Sequence, residues 1–276
     1  MAAVLQHRKF PSACELIATN WRTCVESSDD WSPKSKAGAD GGEATGYFVT
    51  CGPLNAYAKP STVDTTPIPV PRAAHEKIAC DLAQDLGLPV APAILKRWAT
   101  PPEGNQPCVA FVLMPFFPVH KWDVVKAVPG LEATLKYELR FAASSMVAFD
   151  TWIGNTDRQN GGNLLVNRTT TAAPGSPPHA AYLDFSYSLS HAWRPDFRTV
   201  TPVGVYPTET KDIDPVTVEG VIGAIEDLSA ESIRSVVTRI PDDFLAPAAK
   251  TLITDGLLYR QTKIRDALKP ILGTKP

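Results

Sequence analysis

Two aspartates and an asparagine occur in an order that suits phosphoryl transfer. Asp157 lies between a long helical pattern and the apolar run 164–166, and Asp184 closes the next apolar run. Because strands joined by a turn bring their outer ends together, Asp157, Asn163 and Asp184 are expected to converge. Phosphoryl transfer needs a carboxylate to orient or deprotonate the attacking hydroxyl, and oxygen ligands to hold Mg²⁺ against the phosphates.

A lysine and a glutamate upstream supply the remaining parts of such a site. Lys59 ends the hairpin that two β-rich runs predict within residues 46–59, around a Gly-Pro turn. Glu76 lies on the helix predicted for residues 73–86, on its buried side. A lysine that grips phosphates and a glutamate that holds the lysine fit these positions. Lys96, on a later predicted strand, is an alternative to Lys59.

The predicted elements indicate an α+β chain with a β-rich first part and a helical second part. We expect an N-terminal, nucleotide-binding lobe at residues 1–116 and a helical lobe with the catalytic loop at residues 117–276. The polar, glycine-rich segment 27–42 is expected to be a mobile loop. The helical lobe is predicted to contain helices at residues 131–153, 216–226, 230–239, 244–248 and 250–268.

The composition argues against several classes of function. The chain has 276 residues, a net charge of −2 and 44% hydrophobic residues, which is ordinary for a globular protein. Neither a basic field for nucleic acid or membrane lipid nor an apolar run long enough to span a bilayer occurs in the sequence. The five cysteines are widely spaced, which favours reduced thiols and a cytoplasmic location.

The catalytic segment resembles that of a known kinase family. Asp157-Arg158 followed by Asn163-Leu-Leu-Val, and then Leu183-Asp184, resembles the catalytic and metal-binding motifs of HipA-like kinases. It is also similar to the corresponding loops of phosphatidylinositol kinases. The resemblance implies a bilobal, protein-kinase-like fold, with a small β-rich N-lobe and a helical C-lobe, that uses ATP and Mg²⁺.

The resemblance also implies a role for each matched residue. Asp157 would be the catalytic base or the group that orients the hydroxyl. Arg158, beside it in the catalytic set, would orient the loop or a phosphate, or would have a structural role. Asn163 and Asp184 would be Mg²⁺ ligands. The residues implied to bind the nucleotide are Lys59 at the phosphates, Glu76 as its partner, and the hinge from Met114 to Phe116 at the adenine.

Two departures from the family pattern stand out. The step of six residues from Asp157 to Asn163 is one residue longer than the family spacing, and a bulge at 161–162 would absorb it. Asn160 is a weaker alternative for the amide ligand. A clear glycine-rich signature that would cover the phosphates is missing from the sequence, although it offers Gly38, Gly41, Gly42 and Gly46.

Three functions remain open at this stage. The first is a HipA-like serine/threonine kinase whose hydroxyl acceptor is a protein, with room for a regulatory protein partner. The second is a lipid or small-molecule kinase, and the third is a pseudokinase that acts as a nucleotide-binding or regulatory module. The catalytic loop does not distinguish among them, because a fold does not dictate its acceptor.

Overall fold

The strands gather in the N-terminal part of the chain and the helices in the C-terminal part. The computed structural model describes residues 25–26, 31–36, 46–51, 54–60, 71–98, 108–113, 120–155, 157–167, 180–189 and 212–273. A small β-rich lobe with one long helix is followed by a lobe built mainly from helices. This architecture confirms the bilobal α+β fold class.

The larger sheet belongs to the N-terminal lobe. Its strands are β1 (Val25–Glu26), β2 (Ser32–Lys36), β3 (Tyr47–Cys51), β4 (Leu54–Pro60), β5 (Ala93–Arg97) and β6 (Cys108–Leu113). Among the described strands the order is β1-β5-β6-β4-β3-β2, and only β1 and β5 are parallel neighbours. The hairpin of β3 and β4 confirms the prediction for residues 46–59.

Strand β2 corrects the prediction that residues 27–42 form a loop. Ser32–Lys36 pairs antiparallel with β3, with a register shift between Pro33 and Ser35. An edge strand needs backbone partners on one side only, so a polar sequence with a proline can form it. The strand is preceded by Trp31, whose burial in the sheet's smaller apolar cluster favours the extended path.

Helix α1 (Arg72–Asp85) confirms the helix predicted for residues 73–86 and packs against β4, β5 and β6. All residues from Arg72 to Ala83 are buried, including the charged ones. The helix ends where Gly87 adopts a positive φ of 69°, a conformation that glycine takes without strain.

A second, smaller sheet lies at the junction of the two lobes. It consists of β7 (His120–Lys121), β8 (Leu164–Val166) and β9 (Ala180–Tyr182), in that order. The segment after α1 docks on β9: the Ala91 amide donates to Tyr182 O at 2.9 Å, and the Tyr182 amide donates to Pro89 O at 2.7 Å. The chain that carries Asp184 is thereby tied to the N-terminal lobe.

The described helices of the C-terminal lobe are α2 (Trp122–Val125), α3 (Leu131–Glu138), α4 (Arg140–Ile153), α5 (Pro215–Glu226), α6 (Ala230–Thr238), α7 (Pro247–Gln261) and α8 (Ile264–Leu272). The core of this lobe is centred on α4, which packs against α5 and α7. Trp152 of α4 is fully buried, and its indole donates to Leu257 O at 3.1 Å. Within the described residues, none of the helices has both the length and the apolar character needed to cross a bilayer.

The single helix predicted for residues 131–153 is wrong in one respect, because the structure divides it at Leu139. The backbone of Leu139 has φ −91° and ψ 2°, outside the helical range. Arg140 Nη1 donates to Tyr137 O at 2.7 Å, so a carbonyl near the break is satisfied by a side chain.

The helices predicted for residues 244–248 and 250–268 also differ from the structure. Phe244 and Leu245 lie in a turn, and both amides donate to Pro241 O at 3.0 Å. Helix α7 begins instead at Pro247, because proline fits the first helical turn and keeps the residue before it extended. The second predicted helix is interrupted after Gln261, where Thr262 Oγ1 donates to Tyr259 O at 2.8 Å.

Candidate active site

Lys59 lies on the face of the larger sheet that α1 covers. Its Nζ is 3.2 Å from Glu76 Oε2 and 2.7 Å from Asp184 Oδ1. Lys96 on β5 follows Leu95, which belongs to the core on the α1 side, so Lys96 lies on the opposite face. Of the two lysines, Lys59 is the one that the fold brings to the carboxylates.

The carboxylate of Glu76 connects three parts of the chain. Its side chain is fully buried, and besides Lys59 it accepts the backbone amides of Asp184 at 3.2 Å and Phe185 at 2.8 Å. The amide contacts fix the start of the segment after β9 against α1. Glu76 therefore positions Lys59 and the backbone of Asp184 together, which the sequence pattern alone did not reveal.

The charges of this group depend on one another. Burial disfavours the charged amine, but the carboxylates of Asp184 and Glu76 raise the pKa of Lys59 above its ordinary value. Burial also opposes ionisation of Asp184, yet Lys59 and the Ser186 hydroxyl outweigh it and lower the pKa of Asp184 to about 2. At neutral pH the site therefore holds a protonated Lys59 beside an ionised Asp184.

Asp184 has an unusual backbone conformation, with a φ of 63°. Aspartate and asparagine tolerate this left-handed region better than most residues do. The Ser186 amide donates to Asp184 Oδ1 at 3.4 Å, and the Ser186 hydroxyl donates to the same oxygen. Sequence reasoning did not assign a role to Ser186, although aspartate followed two residues later by a backbone donor is a common turn arrangement.

The catalytic-loop candidate Asp157 is half-buried and is held from both sides. Its amide donates to Asn155 Oδ1 at 3.2 Å, and Asn163 Nδ2 donates to its Oδ2 at 2.9 Å. Burial raises the pKa of Asp157 above its ordinary value despite the Asn163 hydrogen bond, and the charge of Asp184 adds to the rise. A carboxylate with a raised pKa is a better proton acceptor than a fully solvated one.

A short 3₁₀ turn, Gly161–Asn163, accounts for the longer spacing between Asp157 and Asn163. Asn160 caps this turn, because its side-chain oxygen accepts a hydrogen bond from the Gly162 amide at 3.0 Å. The residue is exposed to solvent. The turn accommodates the additional residue of the loop, and the Asn163 side chain still reaches Asp157. Asn160, the weaker alternative for the amide ligand, has a capping role instead.

Arg158 is fully enclosed, with 1% of its surface exposed. Its guanidinium forms a two-point contact with Asp150 at 2.7 and 3.2 Å, and Nη1 donates to Asn163 O at 3.2 Å and Leu183 O at 2.8 Å. Asp150 sits on α4 and is also fully buried. Arg158 thus joins helix α4, the catalytic loop and the strand that leads to Asp184.

Replacing Arg158 with methionine should lower the free energy of unfolding by roughly 3–5 kcal/mol, because the buried charge of Asp150 would lose its partner. Urea unfolding followed by circular dichroism measures this change. Arg234→Met is the matched control, since Arg234 is half-exposed and its ion pair among the described residues is with Glu231 on the same helix. Its effect should stay within about 0.5 kcal/mol. Equal effects of the two substitutions would contradict the prediction.

The donor atoms at this site suit Mg²⁺. Lys59 and Ser186 both contact Oδ1 of Asp184, which leaves Oδ2 for a cation. Asn163 donates through Nδ2 to Asp157, which leaves its Oδ1 as the acceptor. Clusters of three or more histidine, cysteine, aspartate or glutamate residues suited to a metal are absent from the described residues.

The predicted hinge residues Met114 and Phe116 lie outside the described residues, as do Gly38, Gly41 and Gly42. Gly46, the fourth glycine of the set, is buried at the start of β3. A Cβ atom at Gly46 would lie 2.2 Å from the ring of Tyr57, so a larger residue here would require the Tyr57 side chain to move.

Comparison with solved structures defines the class of fold. The chain is similar to the crystal structure of the Helicobacter pylori proinflammatory kinase CtkA, with a TM-score of 0.60 and 16% identity over 92% of this chain and 100% of that one. The protein therefore has a protein-kinase-like fold. Identity at this level shows the fold and leaves the activity to be established.

Two other solved kinases align more weakly. A microcompartment-associated aminopropanol kinase aligns with a TM-score of 0.30 and 11% identity, over 95% of this chain and 98% of that one. The MAP kinase LmaMPK10 from Leishmania major aligns with a TM-score of 0.31 and 10% identity, over 99% of this chain and 88% of that one. Neither a known protein-family model nor a curated protein sequence matches the chain.

Proposed function

We propose that the protein transfers the γ-phosphoryl group of ATP to a hydroxyl acceptor, with Mg²⁺ as cofactor. The observation that carries this proposal is the convergence of Lys59, Glu76 and Asp184 beside a loop in which Asn163 holds Asp157. Each part that phosphoryl transfer requires has a counterpart in this group. The protein-kinase-like fold, on which such sites occur, supports the same conclusion.

The proposed mechanism assigns one task to each side chain. Lys59 binds the phosphates of ATP, and Glu76 keeps its amine in place. Asp157 accepts the proton of the attacking hydroxyl or orients it for attack. Asn163 and Asp184 would hold Mg²⁺, which neutralises charge on the phosphates.

We assign Arg158 a positioning task within this mechanism. Its guanidinium contacts Asp150 and two backbone carbonyls, so it holds the catalytic loop against α4. The adenine-binding role of Met114 and Phe116 remains a prediction. The division into a nucleotide-binding lobe at residues 1–116 and a catalytic lobe at residues 117–276 is also still a prediction.

The acceptor we propose is a serine or threonine of a protein, as in the HipA-like kinases that the motif around Asp157 and Asn163 resembles. The ordered contacts of Asp157, Asn163 and Asp184 favour an active enzyme over a pseudokinase. A regulatory protein partner and a cytoplasmic location stay predictions from the sequence.

The acceptor can be identified by supplying γ-labelled ATP and Mg²⁺ together with serine/threonine peptides, phosphoinositide vesicles and small alcohols. We expect acid-stable label on serine or threonine. Label on a lipid or a small alcohol would keep the reaction and replace the acceptor class. ATP binding without transfer to any acceptor, or to the protein itself, would favour the nucleotide-binding module.

The raised pKa of Asp157 predicts how the rate depends on pH. Asp157 acts in its ionised form, so kcat/KM should fall as the pH decreases through its pKa, and this fall should lie above the ordinary aspartate value of about 3.9. A pH profile from about pH 4 to pH 9 measures it. In Asp157→Asn the residual activity should lose this acid limb; an unchanged limb would assign the titration to another group.

A further inference from the structure

The side of α1 that turns away from Lys59 carries buried charges of its own. Lys77 and Asp81 are 2% and 1% exposed, and Lys77 Nζ lies 2.8 Å from Asp81 Oδ1. On the other side of the carboxylate, Arg239 Nη2 lies 2.9 Å from Asp81 Oδ2. Arg239 directly follows α6 and is 30% exposed. One buried carboxylate thus holds two cations from different elements.

This arrangement is costly to disrupt. Burial lowers the pKa of Lys77 and raises the pKa of Asp81, so neither charge is stable there without its partners. The Lys77–Asp81 pair lies within one helix and so does not itself connect α1 to another element. Arg239 is the partner that connects Asp81 to the C-terminal lobe, where α1 packs against α6.

The other half of α1 is tied to the segment after β9. Arg72 donates to the hydroxyl of Tyr187 at 3.0 Å, and His75 Nδ1 lies 3.3 Å from Ser186 O. Glu76 therefore lies between an attachment near the first turn of the helix and the attachment at Asp81. A helix held at two points along its length cannot rotate or slide without breaking one of them, so Glu76 stays opposite Lys59.

We propose that Asp81 is a positioning residue: through Arg239 it fixes α1 against α6 and so keeps Glu76 paired with Lys59. The inference rests on the proposed role of Lys59 in phosphate binding. Asp81 shares α1 with Glu76 and acts on Lys59 only through that helix. Nucleotide-binding competence is in this way coupled to the docking of a helix in the C-terminal lobe.

The variant Arg239→Gln tests this proposal, because it removes the connection at a partly exposed position and leaves the buried Lys77–Asp81 pair intact. Arg234→Gln is the matched control, since Arg234 lies on α6 and, within the part of the chain that the structure describes, forms its ion pair with the exposed Glu231. Amide hydrogen exchange reports the fixation of α1. Competitive acetylation of lysines, read by mass spectrometry, reports the pairing of Lys59.

In Arg239→Gln the amides of α1 should exchange about tenfold faster than in the wild type, equivalent to about 1.4 kcal/mol of local opening. Lys59 should also be acetylated faster, because its Nζ would be held by Asp184 alone once Glu76 moves away. Arg234→Gln should change neither rate.

Faster exchange with unchanged Lys59 reactivity would show that Asp81 is merely structural and would overturn the proposal. So would unchanged rates in Arg239→Gln, or equal changes in the control. Neither measurement requires ATP or an acceptor. The absence of kinase activity would therefore count against the proposed function and leave this test intact.

Discussion

Replacing Asp184 with asparagine should reduce phosphoryl transfer by roughly 10³-fold, because the variant would lose the charged ligand that we propose for Mg²⁺. Asparagine preserves the shape of the side chain and tolerates the left-handed backbone that Asp184 adopts with a φ of 63°. The loss should therefore come from the charge and not from misfolding. The dependence of the initial rate on Mg²⁺ concentration measures it, and the variant should need far more Mg²⁺.

Asp266→Asn provides the matched control for this experiment. Asp266 lies exposed on α8, where it pairs with Lys269. Its replacement should leave both the rate and the Mg²⁺ dependence unchanged. If Asp184→Asn kept a rate close to that of the wild type, with the same Mg²⁺ dependence, the assignment of Asp184 as a metal ligand would fail.

Asp157→Asn should reduce kcat by about 10²–10⁴-fold, because the acceptor hydroxyl would lose the group that we propose as its proton acceptor. The asparagine oxygen can still accept the hydrogen bond from Asn163 Nδ2, so the loop should keep its geometry. Lys59, Glu76 and Asp184 are untouched, so the KM for ATP should change little. A loss confined to kcat identifies an interaction made in the transition state.

Asn160→Ala is the control within the same loop. Asn160 caps the 3₁₀ turn through the Gly162 amide, and losing this cap should cost only about 1 kcal/mol of stability. Asn163→Ala, in contrast, should impair catalysis, because it removes both a proposed metal ligand and a hydrogen bond to Asp157. A larger loss of activity in Asn160→Ala than in Asn163→Ala would reverse the assignment of the amide ligand.

Local patterns in the sequence predicted the parts of the site that depend on one element at a time. Two β-rich runs around a Gly-Pro turn predicted the hairpin of β3 and β4 that carries Lys59, and helical periodicity predicted the buried side of α1 that carries Glu76. The short apolar run 164–166 became β8 within the predicted limits. Each of these predictions rests on a pattern contained within one short segment of the chain.

The remaining features depend on contacts between distant segments, which periodicity does not encode. The choice between Lys59 and Lys96 needed the pairing of β4, β5 and β6, because that pairing decides which face each lysine shares with α1. Likewise, the spacing from Asp157 to Asn163 could be understood only once the 3₁₀ turn was seen.

The role of Arg158 shows the same limit. An Asp-Arg pair in a loop is compatible with a surface turn, with phosphate binding or with a structural brace. The structural role is identified by the ion pair between the Arg158 guanidinium and the fully buried Asp150 on α4. Asp150 lies eight residues earlier along the chain, so the pattern of the loop alone does not reveal this pair. The mispredicted helix at residues 244–248 is another example, because Pro247 fixes where α7 begins.

The most direct test of the proposed function is a comparison of wild-type protein, Asp157→Asn and Asp184→Asn, each incubated with Mg²⁺ and ATP labelled at the γ-phosphate or, in parallel, at the α-phosphate. We predict Mg²⁺-dependent release or transfer of the γ-label by the wild type, nearly complete loss in both variants, and no transfer of the α-label. Turnover of the γ-label that persists unchanged in both variants, or transfer of the α-label, would contradict the proposed site and reaction.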